Sequence, residues 1–307
     1  MPKDGATANA LGPETLHAYY QVPVLRHSNP QALELLPGTS SINEVEFADG
    51  AMLHFYARLE PSDTLFVAFH GAMRVDRDAY PRFERVNSLN KRSTTFLSFA
   101  DPTWYLNPRM NLSWFLGGPD WDALDPIENV VRQALAATGA TSVVFVGGSG
   151  GGFAALRIGV RFPGSLAYVQ SPQTVVTRYL PSTVELYFQS VWGEAKSDVV
   201  RRTPHKFDLT GLYRANPGTN FVYYLQNLND PAHVRDHYRP FKRVHGIAES
   251  QGTSADSTKR FYLSDSELLR HGPPTPQEFE QNFSRALKFY RAGIVSSGPT
   301  NGAPRGA

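Results

Sequence analysis

Short runs of apolar residues, separated by polar segments, are the strongest pattern along this chain. Six runs are almost continuously apolar, as expected of strands that are buried on both faces of a parallel sheet. They are residues 64–71, 94–101, 142–148, 166–171, 221–227 and 259–264. Before them, residues 42–60 hold two alternating runs around Asp49 and Gly50, which predicts a hairpin because glycine accepts a positive φ. We therefore expect about eight strands.

Helical spacing of apolar residues falls between several of these runs. One helical pattern precedes the third run and comprises Ile127, Val130, Val131 and Leu135. Another follows that run from Phe153 onward. The last helix is predicted from a capping box of Thr275 and Glu278 around Pro276. A hairpin followed by alternating strands and helices predicts an α/β fold, with a mainly parallel sheet and helices on both faces.

Residues 174–217 interrupt this alternation. They contain helical pieces rich in Tyr, Phe and Trp but no buried strand. We interpret them as a cap over the carboxyl edge of the sheet, where open α/β folds bind their ligands. The core then comprises residues 41–173 and 218–293. Residues 1–40 are expected to form an irregular arm and residues 294–307 a flexible tail.

Composition narrows the classes of function. The 307 residues are 41% hydrophobic, which is enough for a large core, and no stretch has the length and apolarity of a membrane span. Because 30 Lys and Arg nearly balance 28 Asp and Glu without charged blocks, nothing predicts binding to nucleic acid. The absence of cysteine excludes disulfides and a cysteine nucleophile. Without a signal-like apolar segment, we expect a soluble, cytoplasmic protein. Its oligomeric state is left open.

The segment VVFVGGSGGGFAAL, residues 143–156, carries the candidate chemistry. A Walker loop is excluded because no lysine follows the glycines. A dinucleotide loop needs an acidic residue at the end of the next strand, which instead ends in Gln170 and Ser171. The pattern G-x-S-x-G fits Gly147, Ser149 and Gly151, and predicts a nucleophilic serine at a tight strand-to-helix turn. The Gly150 N–H would then face a developing oxyanion. The structural alternative is that the serine only caps the helix.

Over residues 42–292 the order of elements resembles the α/β-hydrolase superfamily. The shared order is a hairpin, a strand ending FHGAM, a strand ending FADP, the strand VVFVGGSGGG, a cap insertion, a strand ending NLND, and a last strand followed by RHG. The resemblance implies a Ser-His-Asp triad with Asp230 as the acid and His271 as the base. It also implies a second oxyanion N–H from Ala72 or Met73. His70 itself is expected to be structural.

Alternatives exist for several of these residues. Asp230 could simply begin a turn with Pro231, in which case the reserve acids are Asp208, Asp236 and Asp265. Three further histidines lie on a polar segment and are expected at the surface: His233, His237 and His245. The first two are spaced i, i+4 but lack a third ligand, so we predict neither a metal site nor a cofactor.

Three pieces of the chain also resemble bacterial hydrolase-fold proteins of surface-polysaccharide and adhesin-glycan assembly. The shared features are Asp101-Pro102, Trp114 with Gly117, and Pro172-Gln173-Thr174. This resemblance implies a carbohydrate substrate and a sugar-stacking role for the aromatic cap. Ordinary packing is the simpler role for each tryptophan, namely Trp104, Trp114, Trp121 and Trp192.

Together these features predict a serine esterase or O-acyltransferase that works through an acyl-enzyme intermediate. Its substrate would be a small-molecule or glycan ester. The alternative from another class is a catalytically inactive hydrolase-fold protein that binds a glycan or a protein partner. A nucleotide-binding protein on a Rossmann-like sheet is a third possibility.

Overall fold

One sheet of ten strands organises the described part of the chain. The computed structural model describes residues 16–48, 50–74, 78–266 and 268–297. The strands are β1 (Val24–His27), β2 (Ser41–Ala48), β3 (Ala51–Arg58), β4 (Thr64–Phe69), β5 (Phe96–Phe99), β6 (Ser142–Gly148), β7 (Leu166–Gln170), β8 (Phe221–Asn227), β9 (Gly252–Thr253) and β10 (Lys259–Ser264). Their spatial order is β1-β2-β3-β5-β4-β6-β7-β8-β10-β9.

The helices lie mainly between these strands. The α-helices are α1 (Val86–Asn90), α2 (Leu124–Thr138), α3 (Ser149–Gly159), α4 (Pro181–Val191), α5 (Lys196–Arg202), α6 (Pro204–Phe207), α7 (Leu209–Ala215), α8 (Pro231–His233), α9 (Arg239–Val244) and α10 (Pro276–Ser297). Within the described ranges there are also two 3₁₀ helices, Pro102–Leu106 and Val176–Arg178, and a π-helical turn at Val234–Tyr238. None of the helices in the described ranges is both long and apolar enough to cross a lipid bilayer.

All eight strands expected from the apolar runs are present, and the structure adds two at the edges of the sheet. β1 pairs in parallel with β2, so the expectation of an irregular arm over residues 1–40 is wrong at Val24–His27. β9 has only two residues and pairs antiparallel with β10. Both edge strands are short and only partly buried, so neither leaves a continuous apolar run in the sequence.

The centre of the sheet is parallel, as predicted. β5, β4, β6, β7, β8 and β10 run in the same direction, while β3 is antiparallel to both β2 and β5. Helices cover both faces. α1 and α10 contribute to one apolar cluster, and α2, α3, α7 and α9 contribute to another on the opposite face. Since parallel strands all end at one edge, the residues that follow them come together there.

Two predicted helices have the expected ends and faces. In α2, the three residues Ile127, Val130 and Val131 are buried against the sheet. At the start of α10, the Thr275 N–H donates to a Glu278 carboxylate oxygen at 2.8 Å, and the Glu278 N–H donates to Thr275 Oγ1 at 3.2 Å. This is the capping box that the sequence predicts.

Helices α4 to α7 occupy the expected cap insertion between β7 and β8. α4 packs on the loops after β5, where Tyr187 donates a hydrogen bond to the Gly117 carbonyl at 3.3 Å. α7 instead packs on the core, and Tyr213 donates to the Leu156 carbonyl of α3 at 2.9 Å. The insertion therefore includes one helix that covers the sheet. The division into core and cap domains stays a prediction.

Some predictions fall at or beyond the limits of the described residues. Gly50 has the positive φ, +78°, expected of a hairpin turn, but Asp49 lies outside the described residues. Residues 294–297 belong to α10, so the tail begins later than predicted. Residues 1–15 of the arm and 298–307 of the tail lie outside the described ranges.

Candidate active site

Ser149 occupies a tight turn between β6 and α3. Its φ is +54°, a left-handed conformation that is costly for a residue with a side chain. A Cβ atom on Gly147 would collide with the backbone of Gly151, and one on Gly151 would collide with the carbonyl of Phe69. Because only glycine fits at these two positions, the chain can turn closely enough to present Ser149 at the carboxyl edge of the sheet.

The structure brings Ser149, His271 and Asp230 together. The Ser149 Oγ lies 3.0 Å from His271 Nε2, and His271 Nδ1 lies 2.9 Å from Asp230 Oδ2. Asp230 caps α8 just after β8, while His271 lies in the loop between β10 and α10. Three separate loops thus supply the three side chains. A proton on His271 Nδ1 would be held by the carboxylate, which leaves Nε2 free to accept the serine proton.

Asp230 is buried, with 4% of its surface exposed, yet its pKa is lowered. Burial alone would raise its pKa, but hydrogen bonds and charge interactions with His233 and His271 lower the pKa well below its usual range. The carboxylate therefore carries a negative charge at neutral pH. Such a charge stabilises the imidazolium that forms when His271 takes a proton.

His233 and His237 are buried, so their predicted place at the surface is wrong. They are 5% and 2% exposed, and burial lowers the pKa of both, that of His237 to about 3. His233 lies 3.0 Å from Asp230 Oδ2 through Nδ1. Its ring also stacks on that of His271, with centroids 4.0 Å apart and planes 5° from parallel. His245 is half-buried, and burial lowers its pKa to about 4.

Gln173 also contacts the serine, and the sequence pattern did not assign it a role at the site. Its Nε2 donates to Ser149 Oγ at 2.9 Å and lies 2.9 Å from His233 Nε2. The Trp114 N–H donates to the Gln173 side-chain oxygen at 3.2 Å. The only sequence signal for Gln173 was the tripeptide Pro172-Gln173-Thr174, one of the features by which the chain resembles bacterial glycan-assembly proteins. No local pattern predicts that a residue after β7 reaches the end of β6.

The candidate oxyanion donors surround Ser149 unequally. Gly150 lies in the first turn of α3, where N–H groups have no partner within the helix. Ala72 lines the cavity at Ser149, and no described residue accepts a hydrogen bond from its N–H. The Met73 N–H donates to the Asn111 carbonyl at 2.7 Å, so it is already occupied. Of the two residues expected after His70-Gly71, only Ala72 has an N–H with no acceptor among the described residues.

His70 holds the loop that carries Ala72. Its Nε2 accepts the Asp101 N–H at 3.0 Å, so the ring proton sits on Nδ1 and is donated to the Gly71 carbonyl at 2.7 Å. Burial lowers the pKa of His70, which favours this neutral form. On the other side of the loop, the Gly71 N–H donates to Glu84 at 3.0 Å. His70 thus has the structural role expected of it.

A cavity of about 190 Å³ opens beside Ser149 and His271. Tyr179 from the cap insertion and Pro273 from the loop after β10 form part of its wall. Arg82 and Arg85 also border it, and their guanidinium groups lie 3.7 and 3.6 Å from Glu84. Charged groups of both signs therefore border the cavity.

The reserve acids have other partners. Asp208 caps α7 through the Thr210 N–H, Asp236 pairs with Arg235, and Asp265 accepts a hydrogen bond from Asn229. The four tryptophans mainly pack against other aromatic rings. Trp104 stacks on Tyr80, for example, and Trp114 is buried against Tyr179 and Tyr187.

Asp230, His233 and His271 offer potential metal-ligand atoms within 4.8 Å of one another. Both imidazoles, however, direct Nδ1 at the Asp230 carboxylate. A ring nitrogen that donates its proton to a carboxylate has no lone pair for a metal. In the pair spaced i, i+4, His233 and His237, the ring centroids lie 4.9 Å apart, and His237 Nδ1 accepts the Thr174 N–H at 3.2 Å. Hydrogen bonding thus accounts for this cluster.

No protein-family model and no curated protein matches the chain. Several solved structures share its fold. The capsule O-acetyltransferase of Neisseria meningitidis serogroup A is 15% identical, with a TM-score of 0.54 over 83% of this chain and 93% of that one. The Glycosylation Associate Protein (Gap123) complex from Streptococcus agalactiae is 15% identical, with a TM-score of 0.52 over 80% of this chain and 45% of that one.

Prolyl oligopeptidase B from Galerina marginata is 14% identical, with a TM-score of 0.55 over 83% of this chain and 37% of that one. At these identities the likeness establishes the fold alone. Together with the ten-stranded sheet, it shows that the chain has the α/β-hydrolase fold, and its structural neighbours include enzymes.

Proposed function

We propose that the protein is a serine esterase or O-acyltransferase that forms an acyl-enzyme on Ser149. The observation that carries this proposal is the chain of hydrogen bonds from Ser149 through His271 to Asp230, on a serine with a φ of +54°. A serine alone could be a helix cap, but a cap needs neither a histidine at its oxygen nor a buried carboxylate behind that histidine.

In the proposed reaction the Ser149 oxygen attacks the ester carbonyl while its proton passes to His271 Nε2. In this scheme the Gly150 and Ala72 N–H groups donate hydrogen bonds to the resulting oxyanion. His271 then returns the proton to the departing alcohol or thiol, which leaves the acyl group on Ser149. Water or an acceptor alcohol attacks the acyl-enzyme, gives its proton to His271, and releases the serine as the proton returns to it.

The size of the cavity supports a short acyl group. A volume of about 190 Å³ is smaller than the roughly 300–1,000 Å³ of sites that enclose drug-sized ligands. The likeness to a capsule O-acetyltransferase, and the resemblance of the segments around Asp101 and Gln173 to glycan-assembly proteins, support a carbohydrate ester or alcohol as the other substrate.

A fluorophosphonate probe and 4-nitrophenyl acetate test the reaction. We expect stoichiometric labelling, mapped by mass spectrometry to residue 149, and a burst of nitrophenol as the acyl-enzyme forms. Adding acceptor sugars during turnover distinguishes the two classes, because a transferase diverts acetyl groups to the sugar while an esterase releases acetate. A folded protein that takes no label and shows no burst would contradict the proposal and favour a glycan- or partner-binding protein.

A further inference from the structure

Five side chains at the site form a closed ring of hydrogen bonds. One half is the path from Ser149 through His271 to Asp230. The other half returns from Asp230 to His233 Nδ1 at 3.0 Å, from His233 Nε2 to Gln173 Nε2 at 2.9 Å, and from that amide to Ser149 Oγ at 2.9 Å. The second half closes the ring on the nucleophile itself.

The direction of each hydrogen bond in the ring follows from Trp114. Its indole N–H can only donate, so the atom of Gln173 that it meets at 3.2 Å is the carbonyl oxygen. The two amide N–H bonds of Gln173 must then point at Ser149 and His233. Consequently His233 Nε2 accepts, its proton lies on Nδ1, and Nδ1 donates to Asp230. The Ser149 oxygen likewise accepts from Gln173, so its own proton is directed at His271.

We propose that Gln173 and His233 are a second functional arm of the site, in which Gln173 orients the nucleophile and His233 positions Asp230. Gln173 is a catalytic residue in this scheme because it contacts the reacting oxygen. His233 is a positioning residue that acts through the carboxylate. The proposal rests on the proposed function, since it assigns roles within the same acyl transfer.

The arrangement requires that His233 be neutral during the reaction. When His271 takes the serine proton, its positive charge lies in a ring stacked 4.0 Å from that of His233. A second cation at that distance would oppose the transfer, because like charges repel strongly where little water screens them. Burial lowers the pKa of His233, although the hydrogen bond from Nδ1 to Asp230 acts against this. Both the burial of His233 and its contact with Gln173 thus favour the neutral ring.

Three variants separate these roles. Gln173→Met keeps the length of the side chain but removes both N–H donors. His233→Phe keeps a ring to stack on His271 but removes both hydrogen bonds. His233→Asn places an amide near the Nδ1 position, so it restores a donor for Asp230 without reaching Gln173. The matched control is His237→Phe, because His237 is also buried, its ring centroid lies 4.9 Å from that of His233, and its hydrogen bonds are to Thr174.

We expect Gln173→Met and His233→Phe to lower the rate constant for acylation by 4-nitrophenyl acetate about 10- to 100-fold in single-turnover measurements, with little change in the dissociation constant of the ester. His233→Asn should acylate faster than His233→Phe. The acylation rate of His237→Phe should fall less than that of Gln173→Met or His233→Phe. Gln173→Glu should lose more than Gln173→Met. Its carboxylate would face His233 as an acceptor and so stabilise a second imidazolium beside His271.

Nuclear magnetic resonance of the protein with ¹⁵N-labelled histidine gives a readout independent of turnover. Two Nδ1 protons bonded to a carboxylate are expected at low field, from His271 and His233, and His233→Phe should remove only one of them. The His70 Nδ1 proton bonds to a carbonyl and serves as an internal reference. If Gln173→Met and His233→Phe acylate at the wild-type rate, or no more slowly than His237→Phe, the second arm has no function while the proposed triad stands. A wild-type protein that forms no acyl-enzyme would overturn both proposals.

Discussion

Two serines end neighbouring strands of the sheet in the same unusual backbone conformation. Ser149 follows β6 with a φ of +54°, and Ser171 follows β7 with a φ of +41°. The Ser149 oxygen contacts His271 and Gln173, whereas the Ser171 oxygen accepts the Asn227 N–H at 3.3 Å. Ser149 begins an 11-residue helix, while Ser171 is followed by a proline. A strained serine at a strand end is thus not sufficient for chemistry, which depends on what surrounds its oxygen.

The largest expected effect comes from removing the two hydroxyl groups in turn. Ser149→Ala should abolish fluorophosphonate labelling and lower esterase activity on the order of 10⁴-fold or more, because the nucleophile is lost. Ser171→Ala should leave labelling intact and cost about 1 kcal/mol of stability for one lost hydrogen bond. If labelling persists in Ser149→Ala and disappears in Ser171→Ala, the nucleophile is Ser171 at the end of β7, and the assignment of Ser149 is wrong.

The acid of the proposed triad provides the next comparison. Asp230 and Asp208 both cap helices, α8 and α7, but only Asp230 contacts His271. Asp230→Asn should lower kcat/KM by about 10³- to 10⁴-fold, because an amide can hold His271 in the wrong tautomer.

Asp208→Asn is the control for this prediction, measured with the same ester and with a thermal denaturation curve. Since asparagine also caps helices well, we expect little change in either activity or stability. Equal losses of activity in the two variants would argue against Asp230 as the acid.

The glycines at the end of β6 offer a comparison of adjacent residues. A Cβ atom on Gly147 would collide with the backbone of Gly151, whereas one on Gly148 would meet only the Gln170 carbonyl at 3.6 Å. Gly147→Ala should therefore destabilise the fold by about 1–3 kcal/mol and reduce labelling. Gly148→Ala should be tolerated far better. Chemical denaturation and fluorophosphonate labelling of the two variants test whether the turn needs glycine at residue 147.

The effect that is smallest at neutral pH, and grows only in acid, concerns the strand end at β7, where the Thr174 N–H donates to His237. Burial lowers the pKa of His237 to about 3, against about 6.5 in an unfolded chain. Between these values the unfolded state binds more protons, so stability should fall as the pH decreases from about 6.5 toward 3.

For one such group, the free energy of unfolding should change by up to about 1.4 kcal/mol per pH unit in this range. Thermal denaturation at several pH values should show a shallower slope for His237→Phe than for the wild type. An unchanged slope would mean that His237 is protonated in the folded protein.

The sequence was sufficient for most of the fold because strands buried on both faces must be continuously apolar. Six of the eight predicted strands follow from that rule, the hairpin of β2 and β3 follows from its alternating runs, and the turn at Ser149 follows from the spacing of its glycines. β1 and β9 could not be predicted because an edge strand is partly exposed and its residues are held by backbone hydrogen bonds. Asp230 and His271 were expected only from the order of the elements.

His233 and Gln173 show what the tertiary structure alone decided. The polar segment around His233 looks exposed in the sequence, since charged neighbours such as Arg235 and Asp236 surround it. In the fold, one face of that segment turns toward Asp230 and His271, so the same local pattern places some side chains in water and others in the site. The spacing of apolar residues within one strand or helix indicates which of its faces is buried, because burial of a face depends mainly on that element's own residues. Which polar side chains meet across four loops depends on how the strands are ordered, and no local pattern encodes that order.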